Sequence, residues 1–155
     1  MNNLDLVILA GGKGSRIKKF LKNIPKPMAK FNNKYFIEYI IQNFSKYNFK
    51  RIFILTGYKS KIIINKFHKK LFNFVEIICL KEKTPMGTGG ALNILKKNKI
   101  NDFVLINGDT IFDINLNLLI NTIKKKQIGS IALIKNLSKK KNKLNNLSLN
   151  KNKIT

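Results

Sequence analysis

The sequence predicts an α/β fold, a mostly parallel sheet with helices on both faces, and three observations carry that prediction. Short apolar runs rich in β-branched residues alternate along the chain with stretches of helical spacing. Those runs read as strands buried inside a sheet. The first of them, Leu6 to Leu9, breaks directly into a loop carrying Gly11, Gly12 and Gly14. A strand running into glycines lets a backbone approach a phosphate, because no Cβ stands in the way and consecutive N–H groups can point inward.

Taken in order, the elements follow from local pattern. After the glycine loop, Tyr35 to Tyr47 places apolar residues at helical spacing. Arg51 to Thr56 is β-branched and aromatic, ends at Gly57, and reads as a buried strand. Lys59 to Phe72 is expected to be a second helix, carrying His68, to which no role is assigned. Phe74 to Leu80 is a third strand and Thr88 to Lys96 a third helix. Phe103 to Asn107 is a fourth strand, followed by a helix over Ile114 to Lys125 with Asp113 as its N-cap, and a strand over Ser130 to Lys135. The Lys/Asn run from Asn136 to Lys143 has little to bury and is expected to be an exposed loop. Leu144 to Thr155 regains alternation and suits a hairpin turning at Asn150 to Asn152. Strand and helix alternate without internal repeats, so residues 1–155 are read as a single domain.

Composition narrows the class. The 155 residues suit one domain with a real core, and 44% hydrophobic content agrees. Thirty-one basic against seven acidic residues give a net charge of +24, which first suggests a nucleic-acid-binding protein. The positive charge is nearly all Lys, scattered among Asn and Ile rather than gathered in a stripe, and the aromatics are mostly Phe in apolar runs. No specific nucleic-acid partner is therefore expected. The single Cys79 lies in an apolar run and excludes an internal disulfide, in keeping with a reducing compartment. The start lacks a basic n-region, and no apolar run is long enough to span a bilayer. A soluble cytoplasmic chain is the expectation; the sequence does not give its oligomeric state.

Three loops carry the candidate chemistry. The first runs from Leu9 through Ala10, Gly11, Gly12, Gly14, Ser15 and Arg16 to Lys26, held between Pro25 and Pro27. It lacks the spacing of a P-loop, and the dinucleotide fingerprint fails because Ile stands at position 17. Arg16 offers a planar fork of donors suited to phosphate oxygens, and Lys26 a point charge on a restricted backbone. The second loop, Glu82 to Ala91, contains Gly87, which lets backbone approach a flat base, and Thr88, placed to cap the following helix. Glu82 opens this loop with a carboxylate. The third is Asn107-Gly108-Asp109, where an Asp leaving the end of a strand is a natural Mg²⁺ ligand. All three would lie beyond the carboxyl ends of parallel strands, where open α/β sheets bind ligands.

The run Leu9-Ala10-Gly11-Gly12-x-Gly14-x-Arg16 with Pro25-Lys26-Pro27 downstream resembles the signature of the sugar-phosphate nucleotidyltransferases. Within that family the runs PKPM, KYFIEYII, ILTGYKSKII, TPMGTGGAL and NGDTIFDI are most similar to heptose 1-phosphate and mannose-1-phosphate guanylyltransferases. The resemblance implies a Rossmann-like, GT-A-like fold and transfer of a nucleoside monophosphate, GMP from GTP being favoured, to a sugar 1-phosphate with release of pyrophosphate. It further implies Mg²⁺ as cofactor, on Asp109, and a place in nucleotide-sugar synthesis for lipopolysaccharide or capsule. Leu9, Ala10, Gly11, Gly12, Gly14, Ser15, Glu82, Gly87 and Thr88 would bind nucleotide, Asn107 would contact sugar, and Arg16 and Lys26 would be catalytic. Members of this family continue beyond the point matched by Thr155, with a second metal-binding Asp and a sugar-binding Glu. A nucleotide-binding remnant without activity is thus the alternative, and a basic nucleic-acid-binding protein the second.

Overall fold

The computed structural model describes residues 3–17, 19–21, 23–84, 87–123, 127–132, 149–150 and 153–154. The chain divides into two compact units, Met1–Asp113 and Ile114–Thr155. The first is built on a five-stranded sheet. Its strands are β1 (Asp5–Ala10), β4 (Ile52–Thr56), β5 (Lys70–Phe72), β6 (Val75–Lys81) and β7 (Phe103–Asn107), in the order β5-β6-β4-β1-β7. A small antiparallel pair, β2 (Lys30–Phe31) and β3 (Lys34–Tyr35), stands outside it.

β1 is parallel to both β4 and β7, and β4 is parallel to β6, so four strands end at one edge. The order reverses beside β1: the chain moves outward to β4 and β6, then returns across β1 to β7. Such a reversal opens a crevice at the carboxyl edge. The central strands explain their own placement. All five residues of β4 and five of the six in β1 are buried, as strands covered on both faces must be.

On one face Val7, Phe53 and Leu55 pack with Ala91, Leu95 and Ile100. Ala91 closes α3 (Gly87–Ala91), and Leu95 lies in α4 (Asn93–Lys97). The alternate residues Leu6, Ile8, Ile52, Ile54 and Ile77 are buried as well, so the opposite face is also covered. α2 (Ser60–Phe67) packs on β4 and β6, while α1 (Phe36–Phe44) turns Ile37, Ile40, Ile41 and Phe44 inward. Burial pushes the Cys79 thiol up to about 11, as for any thiolate denied water.

Several elements differ from the sequence prediction. The second helix stops at Phe67 instead of reaching Phe72. His68 turns extended, Lys69 takes a positive φ, and Lys70–Phe72 returns as strand β5 against β6. Asn73 and Phe74 both have positive φ, the backbone of a tight two-residue hairpin. His68 Nδ1 accepts the Cys79 N–H at 3.1 Å, closing the backbone just past the last β5 pairing. The third helix is two short ones broken at Leu92, whose N–H returns to Gly89 O three residues back. It also begins at Gly87, so Thr88 falls inside the helix and not at its cap.

In the second unit, α5 (Leu116–Asn121) starts later than expected. Its N-cap is Asn115, whose side chain accepts the Asn117 and Leu118 N–H groups, and not Asp113. Residues 130–132 carry no strand, and the remainder of that expected strand, with the Asn136 to Lys143 loop, lies outside the described residues. Of the expected terminal hairpin, β8 (Leu149–Asn150) and β9 (Lys153–Ile154) pair antiparallel. Among the described residues no helix is long and apolar enough to cross a membrane.

Candidate nucleotide-binding site

The carboxyl ends of β1, β4, β6 and β7 surround a cleft of about 630 Å³. Leu9, Ala10, Gly11, Gly12 and Gly14 enter it from β1 and its loop. Gly57 and Tyr58 follow β4, Lys81 and Glu82 close β6, and Asn107 and Asp109 come from the end of β7. Lys26 reaches the same space from a 3₁₀ turn over Lys26–Met28. That turn is firmly seated. Pro25, Pro27 and Met28 are buried, and the Met28 N–H bonds Pro25 O at 2.8 Å. With its neighbours anchored inward, the Lys26 stem points into the cleft.

Lys26 Nζ meets Asp109 Oδ2 at 2.9 Å across 83 positions of sequence. The pair is open to solvent, 37% and 40% exposed. The other carboxylate oxygen, Oδ1, accepts the Thr110 hydroxyl at 3.1 Å. Asp109 is held in place from both sides of its loop: the Gly108 N–H bonds Leu9 O, and Asn43 Nδ2 donates to Phe112 O.

Glu82 leaves β6 with its N–H on Thr56 O at 2.8 Å. Its carboxyl lies against Gly11, where an added Cβ would stand 2.7 Å from Oε1. Partial burial raises its pKa above the ordinary carboxylate range. Charge in the cleft favours an anion: Lys13, Lys26, Lys81 and Lys83 line it against Glu82 and Asp109.

Among the described residues no three His, Cys, Asp or Glu side chains gather as a closed metal cage. The chemistry of Asp109 suits a hard cation that keeps water and phosphate oxygens as its other ligands, as Mg²⁺ does. Ten of the thirteen residues expected from sequence thus line one cleft: Leu9, Ala10, Gly11, Gly12, Gly14, Lys26, Glu82, Gly87, Asn107 and Asp109. Ser15 is exposed on the 3₁₀ turn that follows, outside the lining. The side chains of Arg16 and Thr88 lie outside the described ones. Sequence reading missed Gly57, Tyr58, Lys13, Lys81 and Lys83. A glycine immediately after the strand beside β1 was the available signal for the first two; the lysines are indistinguishable from many others.

The family model described as Nucleotidyl transferase matches residues 6–143. The chain belongs to the nucleotidyl transferase family. D-glycero-alpha-D-manno-heptose 1-phosphate guanylyltransferase of Campylobacter jejuni is 40% identical over 116 residues, covering 75% of this chain and 52% of the relative. The protein of the same name from Aneurinibacillus thermoaerophilus is 35% identical over 114 residues, covering 73% and 49%. The structure of HddC from Yersinia pseudotuberculosis complexed with GMP-PN superposes with a TM-score of 0.68 at 32% identity, covering 77% of this chain and 53% of that one. The chain spans about half the length of the curated relatives it matches. The mostly parallel α/β sheet expected from sequence is the fold observed, and it is shared with HddC.

Proposed function

We propose that Met1–Asp113 forms the nucleotide-binding half of a sugar-1-phosphate guanylyltransferase, which transfers GMP from GTP to a heptose- or mannose-type sugar 1-phosphate for surface polysaccharide precursors. The observation that carries this reading is the convergence of the glycine loop, Lys26, Glu82 and Asp109 on one cleft. The guanylyltransferase relatives favour guanine and a heptose-type sugar.

The reaction needs little covalent help from the protein. A sugar phosphate oxygen attacks the α-phosphorus in line, the bond to the β-phosphate breaks, and pyrophosphate leaves with its electron pair. The attacking phosphate is already ionised near neutrality, so no general base is required, and catalysis is positioning plus charge stabilisation. Backbone N–H groups of Gly11, Gly12 and Gly14, with Arg16, hold the β- and γ-phosphates. Leu9 and Ala10 form the nucleotide's floor; Ser15 and Thr88 are assigned to nucleotide binding by the family resemblance alone. Lys26 draws the α-phosphate and the sugar phosphate together, exchanging its bond to Asp109 for phosphate oxygens. Asp109 would hold Mg²⁺, which would supply neutralisation of the charge shared among the phosphates. Glu82 accepts the guanine N1–H and amine, Gly87 lies against the base, and Asn107 contacts the sugar.

Titration with Mg²⁺ and GTP, beside a pyrophosphate-release assay with heptose and mannose 1-phosphates, tests the reading. GTP binding with release of pyrophosphate is the expected result. Binding without release reduces the chain to a nucleotide-binding module. Absence of GTP binding, or salt-sensitive RNA binding that outcompetes GTP, overturns it.

A further inference from the structure

We infer that the Thr56-Gly57-Tyr58 turn at the end of β4, which has no residue in the proposed reaction, is the positioning element for base selection. It acts by fixing Gly11 against the Glu82 carboxyl. Four contacts form a closed circuit. Thr56 O accepts the Glu82 N–H at 2.8 Å, and Gly11 O accepts the Tyr58 N–H at 3.0 Å. Gly57 lies so close to Gly11 that a Cβ there would stand 2.8 Å from Gly11 O and 3.0 Å from Gly11 Cα. Gly11 in turn leaves no room for a Cβ beside Glu82 Oε1.

The Gly11 peptide is therefore caught between the β4 turn and the Glu82 carboxyl. The turn fixes both the backbone of Glu82 and the surface its carboxyl rests on. A bidentate carboxylate must hold two oxygens in register with two donors, so a displacement of a few tenths of an ångström at Gly11 misaligns the pair. Gly57 is a positioning residue in this scheme; it need not touch the nucleotide. The inference rests on the reading of Glu82 as the base-recognising group.

The test compares GTP with ITP, which lacks the exocyclic amine, and uses inorganic tripolyphosphate to report the phosphate cradle. In the unmodified chain GTP should bind roughly tenfold or more tightly than ITP, the scale of one hydrogen bond to a charged acceptor. Gly57→Ala should bring the two nucleotides within about twofold of each other, and tripolyphosphate affinity should fall by no more than ITP affinity does, since the shifted Gly11 N–H belongs to the phosphate cradle. Gly11→Ala is the second variant. Its Cβ meets only the flexible end of Glu82, so the fold survives, and it should lose the same preference.

If Gly57→Ala keeps the preference while Glu82→Gln loses it, the inference is overturned and the base assignment stands. If the unmodified chain does not distinguish GTP from ITP, the base assignment itself fails, and the inference with it. Should Gly57→Ala not fold, retention of the preference by Gly11→Ala overturns the inference and its loss supports it.

Discussion

The two edges of the parallel sheet each hold a basic–acidic pair, and the pairs are built differently. At the amino edge, Arg51 donates from Nε to Asp5 Oδ1 at 3.0 Å and from a terminal nitrogen to Oδ2 at 2.7 Å. The Asp5 side chain there is only 6% exposed. At the carboxyl edge, Lys26 and Asp109 share one bond and both face water. A bidentate fork on a buried carboxylate ties β1 to the residue just before β4, although the Arg51 side chain itself is 34% exposed, whereas a single-point ammonium contact between two exposed groups can open for phosphate or metal at little cost. Similar charges thus hold the fold at one edge and leave the site exchangeable at the other.

Removing the exchangeable pair should have the largest consequence. Lys26→Ala is expected to lower pyrophosphate release by about 10²–10³, the scale of losing one group aimed at transition-state charge. The melting temperature should hardly move, because an exposed pair contributes only about 0–1 kcal/mol. Unchanged turnover would remove Lys26 from the reaction.

Breaking the permanent pair should give the reverse pattern. Arg51→Met strands a buried carboxylate and should cost up to about 3 kcal/mol of stability in urea unfolding. GTP affinity of the folded fraction should stay unchanged. Arg51→Lys should recover only part of the loss, since a point charge cannot make both bonds. The hydrogen bond to Asp5 outweighs desolvation and raises the guanidinium pKa further. A raised pKa on a base means the contribution is complete below its ordinary value, so the pair acts throughout the neutral range. A fall in GTP affinity with no loss of stability would undo the contrast between the edges.

The smallest effect expected is one of pH at Glu82. Burial raises its pKa, so the carboxylate needed by the base protonates at a higher pH than an exposed glutamate. GTP affinity relative to that of ATP should therefore fall on acidification, before ordinary carboxylates titrate; the two carry the same triphosphate, whose protonation cancels in the ratio. Stability runs in the opposite sense. The raised pKa favours the folded state at low pH, and that contribution fades as pH rises through it. In Glu82→Gln the affinity ratio should become flat; a slope that persists would assign the pH effect elsewhere.

Local pattern made some regions legible and left others blank. β1 and β4 announced themselves because a strand buried on both faces must be apolar throughout; β7 was read from the same kind of apolar run, although at the sheet edge only its Ile106 is buried. Lys26 stood out through its flanking prolines, and Asp109 through its place after a strand. The edge strand β5 did not, because Lys-Leu-Phe continues the helical spacing of the residues before it; its pairing with β6 decides the matter. Asp113 is the cap expected from sequence, and the structure gives that role to Asn115. The Asn115 side chain accepts the Asn117 and Leu118 N–H groups, a local geometry that residue type alone does not reveal.

By itself the sequence determined the class of sheet, the glycine loop and the identity of most residues that line the cleft, because apolar runs and glycines act over a few neighbouring positions. The tertiary structure alone decided that Lys26 meets Asp109 across 83 positions, and that Gly57 is pressed against Gly11 beside Glu82. These contacts depend on strand order, and strand order is settled by how the whole sheet buries its faces, which no short stretch of residues encodes.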